Sequence, residues 1–155
     1  MNEVLPNDHC MDCFVNHVEF ASVNNGIFLC TNCAKLHNTL GRDISYIVET
    51  VEYIDPYSSI YIQRGGNTRF LNFCKKFNIA NLDPRLKYRT RACEYYRKLL
   101  RNEIDGEFPP DPISIEEGQR ILYNDEIEKT NLNIWKRFFL GKIIKLVKKR
   151  NIFIK

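Results

Sequence analysis

Apolar and polar positions alternate early in the chain and then take on helical spacing. Val18, Phe20 and Ala21 stand among polar neighbours and predict a strand over residues 18–23. Asn24-Asn25-Gly26 tolerates the positive φ of a tight turn, and Ile27-Phe28-Leu29 predicts the returning strand. Leu36 and Leu40, four apart, predict a short helix closed by Gly41. The β-branched run Ile44, Tyr46, Ile47, Val48 and Val51 predicts a buried strand. Asp55-Pro56 predicts a capped helix start, and the helix runs through Ile60 and Ile62 to the Gly65-Gly66 break. Asn67 is the predicted cap of the next helix, whose stripe is Phe70, Leu71, Phe73, Cys74 and Phe77. Asp83-Pro84 opens another helix that buries Leu86, Ala92, Tyr95, Leu99 and Leu100 and stops near Gly106. Glu107–Asp111, with Pro109-Pro110, reads as a linker. Residues 112–130 are polar and helix-tolerant, with a capping box from Ser114 to Glu117. From Trp135 onward Phe139, Leu140, Ile143, Leu146 and Val147 share one helical side, and Arg137, Lys142, Lys145, Lys148 and Lys149 share the other. The expected class is α+β: a short sheet flanked by several helices over 1–106, a linker or polar helical segment over 107–131, and a basic amphipathic tail helix over 132–155.

Charge sharpens the picture of the tail. The chain carries a net charge of +4, yet residues 136–155 hold eight Lys or Arg and no acid, so the remaining body is slightly acidic at −4. A basic amphipathic helix lies on an anionic membrane, fits a partner groove, or packs its apolar side on its own domain. No apolar run approaches the ~18 residues of a membrane span. Met1–Asn7 lacks the basic-then-apolar order of a signal peptide, residue 2 is Asn rather than the Gly that myristoylation needs, and Ile152–Lys155 is not a prenylation box. A reducing, cytoplasmic setting is expected, which favours metal ligation over disulfides.

Cysteine spacing carries the candidate chemistry. Cys10-Met11-Asp12-Cys13 and Cys30-Thr31-Asn32-Cys33 are two Cys-x-x-Cys turns separated by sixteen residues. Each turn offers two sulfurs, and the predicted hairpin between them brings the four together, as one tetrahedral structural zinc requires. Cys74 and Cys93 lie in helical stripes and read as core residues. His9 abuts the first turn and reads as a bystander, because four thiols already complete a site. The chain shows no phosphate-binding glycine loop, no Ser–His–Asp order and no metalloprotease motif.

With its flanks, this stretch resembles the Arf GTPase-activating (ArfGAP) domain family, whose signature is C-x2-C-x16-C-x2-C-x4-R. The resemblance covers roughly residues 5–105. It rests on the four cysteines, on Asn16 and Phe20-Ala21-Ser22, and on Gly26-Ile27-Phe28-Leu29-Cys30. It also rests on His37, Leu40-Gly41, Ile44-Ser45, Gly65-Gly66-Asn67, and a final core helix over Tyr88–Leu100. It implies a zinc-dependent fold that acts on an Arf-family small GTPase, with a place on Golgi or vesicle membranes.

The departures gather on the implied working surface. The family's catalytic arginine is the fifth residue after the last cysteine, and here that residue is Asn38. Its Asn-Pro proline is His17, its Trp is Phe20, and the His after Leu-Gly is Asp43. A second arginine aligns near Val48, and Asp55 and Tyr57 stand in for an Asp-x-Trp pair. An arginine finger is worth about 10³–10⁵ in rate, whereas Asn supplies hydrogen bonds but no charge. Arg42, four residues on, is the candidate substitute. The expected function is that of a GTPase activator, not itself an enzyme, whose activity depends on how the missing arginine is replaced. Two alternatives stand beside it. One is a module that binds Arf or membranes without stimulating hydrolysis. The other is a nucleic-acid-binding finger, against which stands a post-zinc helix with only Lys35 and Arg42 as nearby cations.

Overall fold

Among the described residues, three antiparallel strands of three residues each make the sheet that carries the cysteine turns. A computed structural model describes residues 4–50 and 54–123. β1 (Phe20–Ser22) pairs antiparallel with β2 (Ile27–Leu29), Phe20 facing Leu29, and on its other edge with β3 (Ile47–Glu49), Phe20 facing Glu49. The Asn-Asn-Gly turn is a 3-10 turn over Val23–Asn25, closed by Gly26 in the left-handed region at φ 60°. β3 is a correction to the buried strand expected over 44–51: it is short, lies on the sheet edge and is half-exposed, while Ile44 is buried ahead of it. Its predicted end at Val51 lies outside the described residues.

Gly26 has a second task. Its carbonyl accepts from the Gly66 amide at 2.6 Å, and a Cβ on Gly65 would lie 2.6 Å from the Gly26 Cα. Gly65-Gly66 is therefore a place where two backbones touch, and not only a helix break. The break separates α2 (Pro56–Arg64), whose cap Asp55 accepts from the Ser58 amide at 3.0 Å, from α3 (Asn67–Lys76). The cap of α3 is Gly66 and not Asn67. Asn67 is fully buried: its Oδ1 accepts from the Phe28 amide at 2.9 Å, and its Nδ2 donates to His9 O at 2.7 Å and Pro6 O at 3.2 Å. A polar side chain placed there ties the irregular lead-in to the hairpin and to α3.

The helix predicted from Asp83-Pro84 to Gly106 is two helices. α4 (Pro84–Lys87) is one turn, and α5 (Arg91–Asp105) starts afresh from Thr90. Thr90 both donates to Lys87 O at 2.7 Å, closing the first turn, and accepts from the Cys93 amide at 3.2 Å, opening the second. Leu86, expected inside, is exposed, while Lys87 and Tyr88 point inward. α5 buries Ala92, Cys93, Tyr96 and Leu100, with Tyr95 half-buried. Phe70 stacks on Tyr88 with ring centroids 5.6 Å apart and meets Tyr96 edge-on at 5.0 Å. Cys74 and Cys93 are fully buried in this core.

The stretch after Gly106 is not uniform. α6 (Ile115–Gln119) starts at Ser114, which caps Glu117 at 3.1 Å, and it returns to the helices. Gln119 Nε2 donates to Phe77 O at 3.1 Å, the Arg91 amide donates to Arg120 O at 2.8 Å, and Thr90 bridges to Ile121. One compact unit thus continues to Ile121, and residues from Leu122 on form a second. The basic amphipathic tail predicted over 132–155 lies outside the described residues. Among the described residues no helix is long and apolar enough to cross a membrane.

Candidate metal centre and the outer face of its helix

Two tight turns present the four cysteines. In the first, the Phe14 amide donates to Cys10 O at 3.0 Å, the Cys10 amide to Val15 O at 2.9 Å, and the Met11 amide to Phe28 O at 2.9 Å. This pins the turn to β2, and Phe14 takes the positive φ of 62° that ends it. The second turn is the start of α1 (Thr31–Leu40), with Cys30 as its N-cap residue and Cys33 in its first turn. The four Sγ atoms lie within 4.8 Å of one another, and Cys13 and Cys30 are 3.6 Å apart. Tetrahedral bonds of ~2.3 Å set sulfurs about 3.8 Å apart, so the cluster fits one zinc. Burial and then the neighbouring Cys10 push the Cys33 thiol up, and a cation held among the four sulfurs would favour its thiolate. With four protein sulfurs and no open position, the site is structural.

A buried polar chain runs directly behind it. Asp12, inside the first turn, is 1% exposed. It accepts from His37 Nε2 at 2.8 Å, Tyr88 OH at 2.8 Å and Lys87 Nζ at 3.2 Å. Burial works to raise the Asp12 carboxyl, but the His37 hydrogen bond and the Lys87 charge outweigh it and hold the group below its ordinary range. An anionic Asp12 makes His37 Nε2 the donor, so Nδ1 accepts from Ser45 Oγ at 2.7 Å. Ser45 in turn accepts from Ser22 Oγ at 2.8 Å, and Ser22 from Asn25 Nδ2 at 2.8 Å. Asn25 Oδ1 accepts from Arg97 at 3.3 Å. The first zinc turn, α1, β1, α4 and α5 are thereby locked to one another. Sequence reasoning did not single out Asp12, Lys87 or Tyr88. The one local signal was an acid between two ligand cysteines, with no hint that its partners lie 75 and 76 residues away.

The outer face of α1 is different. Lys35, Asn38 and Thr39 are exposed, while Ala34, His37 and Leu40 are buried. Asn38 therefore stands in solvent beside the zinc module. Arg42 follows Gly41, beyond the end of α1, and is also exposed. Its guanidinium lies 4.0 Å from the centre of the Tyr46 ring. Asn24 Nδ2 donates to the Asp43 carbonyl at 3.0 Å and steadies this loop. Val48 is half-buried in β3 and supplies no charge. The structure thus gathers the four cysteines into one site, and it sets Asn38 and Arg42 on either side of the C-terminal end of α1.

Comparison with known proteins gives this geometry a family context. Residues 1–103 match the ArfGap family model, described as "Putative GTPase activating protein for Arf". The chain is 32% identical over 104 residues to ADP-ribosylation factor GTPase-activating protein 3 of Mus musculus, covering 65% of this chain and 20% of that protein. It is 29% identical over 102 residues to ADP-ribosylation factor GTPase-activating protein GCS1 of Saccharomyces cerevisiae, covering 64% and 29%. Sporulation protein SPS18 of the same yeast is 30% identical over 101 residues, 34% of its length. The chain therefore spans about a fifth to a third of these curated relatives. Among solved structures, the "putative GTPase activating protein for ADP ribosylation factor from Cryptosporidium parvum" aligns with a TM-score of 0.59 at 25% identity, covering 66% of this chain and 84% of that one.

Proposed function

This chain belongs to the ArfGap family, and from that premise we propose that it regulates an Arf-family GTPase with a stimulatory power far below that of an arginine-bearing member. The observation that carries the reading is Asn38, exposed on the outer face of α1 at the position of the family's arginine. Hydrolysis of a bound nucleotide builds negative charge on the transferred phosphoryl group. A positioned guanidinium neutralises it, and this is worth about 10³–10⁵ in rate, or roughly 4–7 kcal/mol. Asn38 donates hydrogen bonds from a neutral amide and leaves most of that stabilisation unmade. The zinc module then supplies the surface for the GTPase rather than the finger.

A second reading has its own observation. Arg42 is held against Tyr46 at 4.0 Å and makes no ion pair with a described carboxylate, so a guanidinium stands ready four residues on from Asn38, past the end of α1. In this reading it leaves the ring to meet the nucleotide. A nucleic-acid role gains little from the same face: Lys35 and Arg42 are its two cations, and Asp43 lies beside them.

Single-turnover hydrolysis by a GTP-loaded Arf protein, with the zinc-loaded full chain added, tests these readings together with a binding titration. The proposal expects saturable binding that prefers the GTP-loaded form, and little acceleration. Absence of binding to either nucleotide form would sink it. Loss of a measurable acceleration in Arg42→Ala would give the second reading the finger. The tail over 135–155 and peripheral attachment to Golgi or vesicle membranes belong to the same proposal. They predict that anionic liposomes float the full chain and not a 1–134 truncation. Equal flotation of both would remove the membrane part.

A further inference from the structure

The stretch that joins α5 to α6 lies beyond residue 103, where the family match ends, and its backbone is fixed by composition. It reads Glu107-Phe108-Pro109-Pro110-Asp111-Pro112-Ile113. Each proline locks its own φ near −65°, and each residue before a proline is driven toward extended or polyproline II angles. Phe108, Pro109 and Asp111 all precede a proline, so every residue from 108 to 112 is under one of the two constraints. The structure assigns no helix or strand to 107–114. Pro110 and Ile113, three residues apart, are partly covered, while Glu107, Phe108, Pro109, Asp111 and Pro112 are exposed. Three residues per turn is the polyproline II repeat, with one edge resting on the domain and two facing water.

The segment is also held down. Gly106 ends α5 in the left-handed region at φ 70°, and the Glu107 amide donates to Asn102 O at 2.8 Å. From below, Asn102 Nδ2 donates to Phe108 O at 2.7 Å, and Tyr95 OH donates to Pro110 O at 3.5 Å. The far end is fixed by α6, where Gly118 lies so close to Phe77 that a Cβ there would sit 2.3 Å from its ring. Against this anchored backbone Phe108 projects with 92% of its surface exposed, the most exposed large apolar side chain among the described residues. Burying such a ring is favourable, and here that surface is left to water.

We infer that residues 107–112 are a preformed polyproline II ligand for a proline-reading domain with an aromatic-lined, basic-rimmed groove. Pro109 and Pro112 provide the Pro-x-x-Pro spacing that such grooves grip, and Phe108 is the aromatic anchor ahead of it. Glu107 and Asp111 flank these contacts with negative charge, which selects a basic rim and disfavours a groove whose specificity pocket is acidic. The ligand is already ordered, so its binding loses little conformational entropy. This surface recruits a second protein independently of the zinc module.

The test titrates the zinc-loaded full chain with two isolated probes, an EVH1 domain with a basic-rimmed groove and an SH3 domain with an acidic specificity pocket. Saturable micromolar binding to the EVH1 domain is expected, weakened by added salt and weakened at least about tenfold in Phe108→Ala. Thermal melting of Phe108→Ala should match the parent, because the side chain packs on almost nothing. The inference is overturned if the EVH1 domain fails to saturate at millimolar concentration, if Phe108→Ala binds as well as the parent, or if the SH3 domain binds more tightly.

Discussion

The inner side of α1 carries Cys33, Ala34, His37 and Leu40, and its outer side carries Lys35, Asn38 and Thr39. The inner residues agree with the ArfGAP pattern at every position quoted for it. They are held by the sulfur cluster and by the chain from Asp12 through His37 to Ser45. The outer side carries Asn38 where the resemblance implies an arginine. One helix therefore answers to two sets of constraints. A change on the inner side breaks a coordination site or strands a buried charge. A change on the outer side meets only solvent until a partner arrives, so the fold can persist while the chemistry changes.

Metal removal should break the contrast most severely. Structural zinc in small fingers supplies about 10–16 kcal/mol of apparent folding energy, so a strong chelator should abolish the cooperative thermal transition and release one zinc per chain. A chain that melts normally after chelation would show that the inner side does not depend on the metal. Asp12→Ala comes next. It leaves the Lys87 ammonium, 4% exposed, without its carboxylate, and should cost about 3–5 kcal/mol in urea denaturation. Gly65→Ala forces a methyl group to within 2.6 Å of the Gly26 backbone and should cost about 1–3 kcal/mol by the same measurement. Smallest of all, Asn38→Arg and Arg42→Ala should each shift stability by no more than about 0.5 kcal/mol. A larger loss at Asn38 would mean that the two sides are not independent.

What the sequence disclosed follows the same division by distance along the chain. The Cys-x-x-Cys spacing, the Asn-Asn-Gly turn, the Asp55, Asp83 and Ser114 caps and the Gly106 stop act over a few residues, and the zinc site and most helix starts were legible from them. The break at Tyr88–Thr90 was not. It exists because Lys87 and Tyr88 turn inward to satisfy Asp12, a demand set on the other side of the molecule. Asn67 looked like a helix cap because Asn often is one; its real partners are Phe28, His9 and Pro6. Gly65 looked like punctuation, and only the folded chain shows Gly26 against it. The role proposed for Asn38 had no local signal at all. An exposed Asn on a helix is unremarkable until it is set against a family pattern with arginine in that place.

The central claim is that the scaffold is intact and that its outer face lacks one charge. Single-turnover hydrolysis by GTP-loaded Arf in the presence of Asn38→Arg, compared with the parent chain, tests it most directly. If the inner side already holds α1 in working geometry, the added guanidinium should raise the rate by about 10³-fold or more while binding and melting stay close to those of the parent. An Asn38→Arg chain that folds, binds the GTPase and hydrolyses no faster would contradict the account.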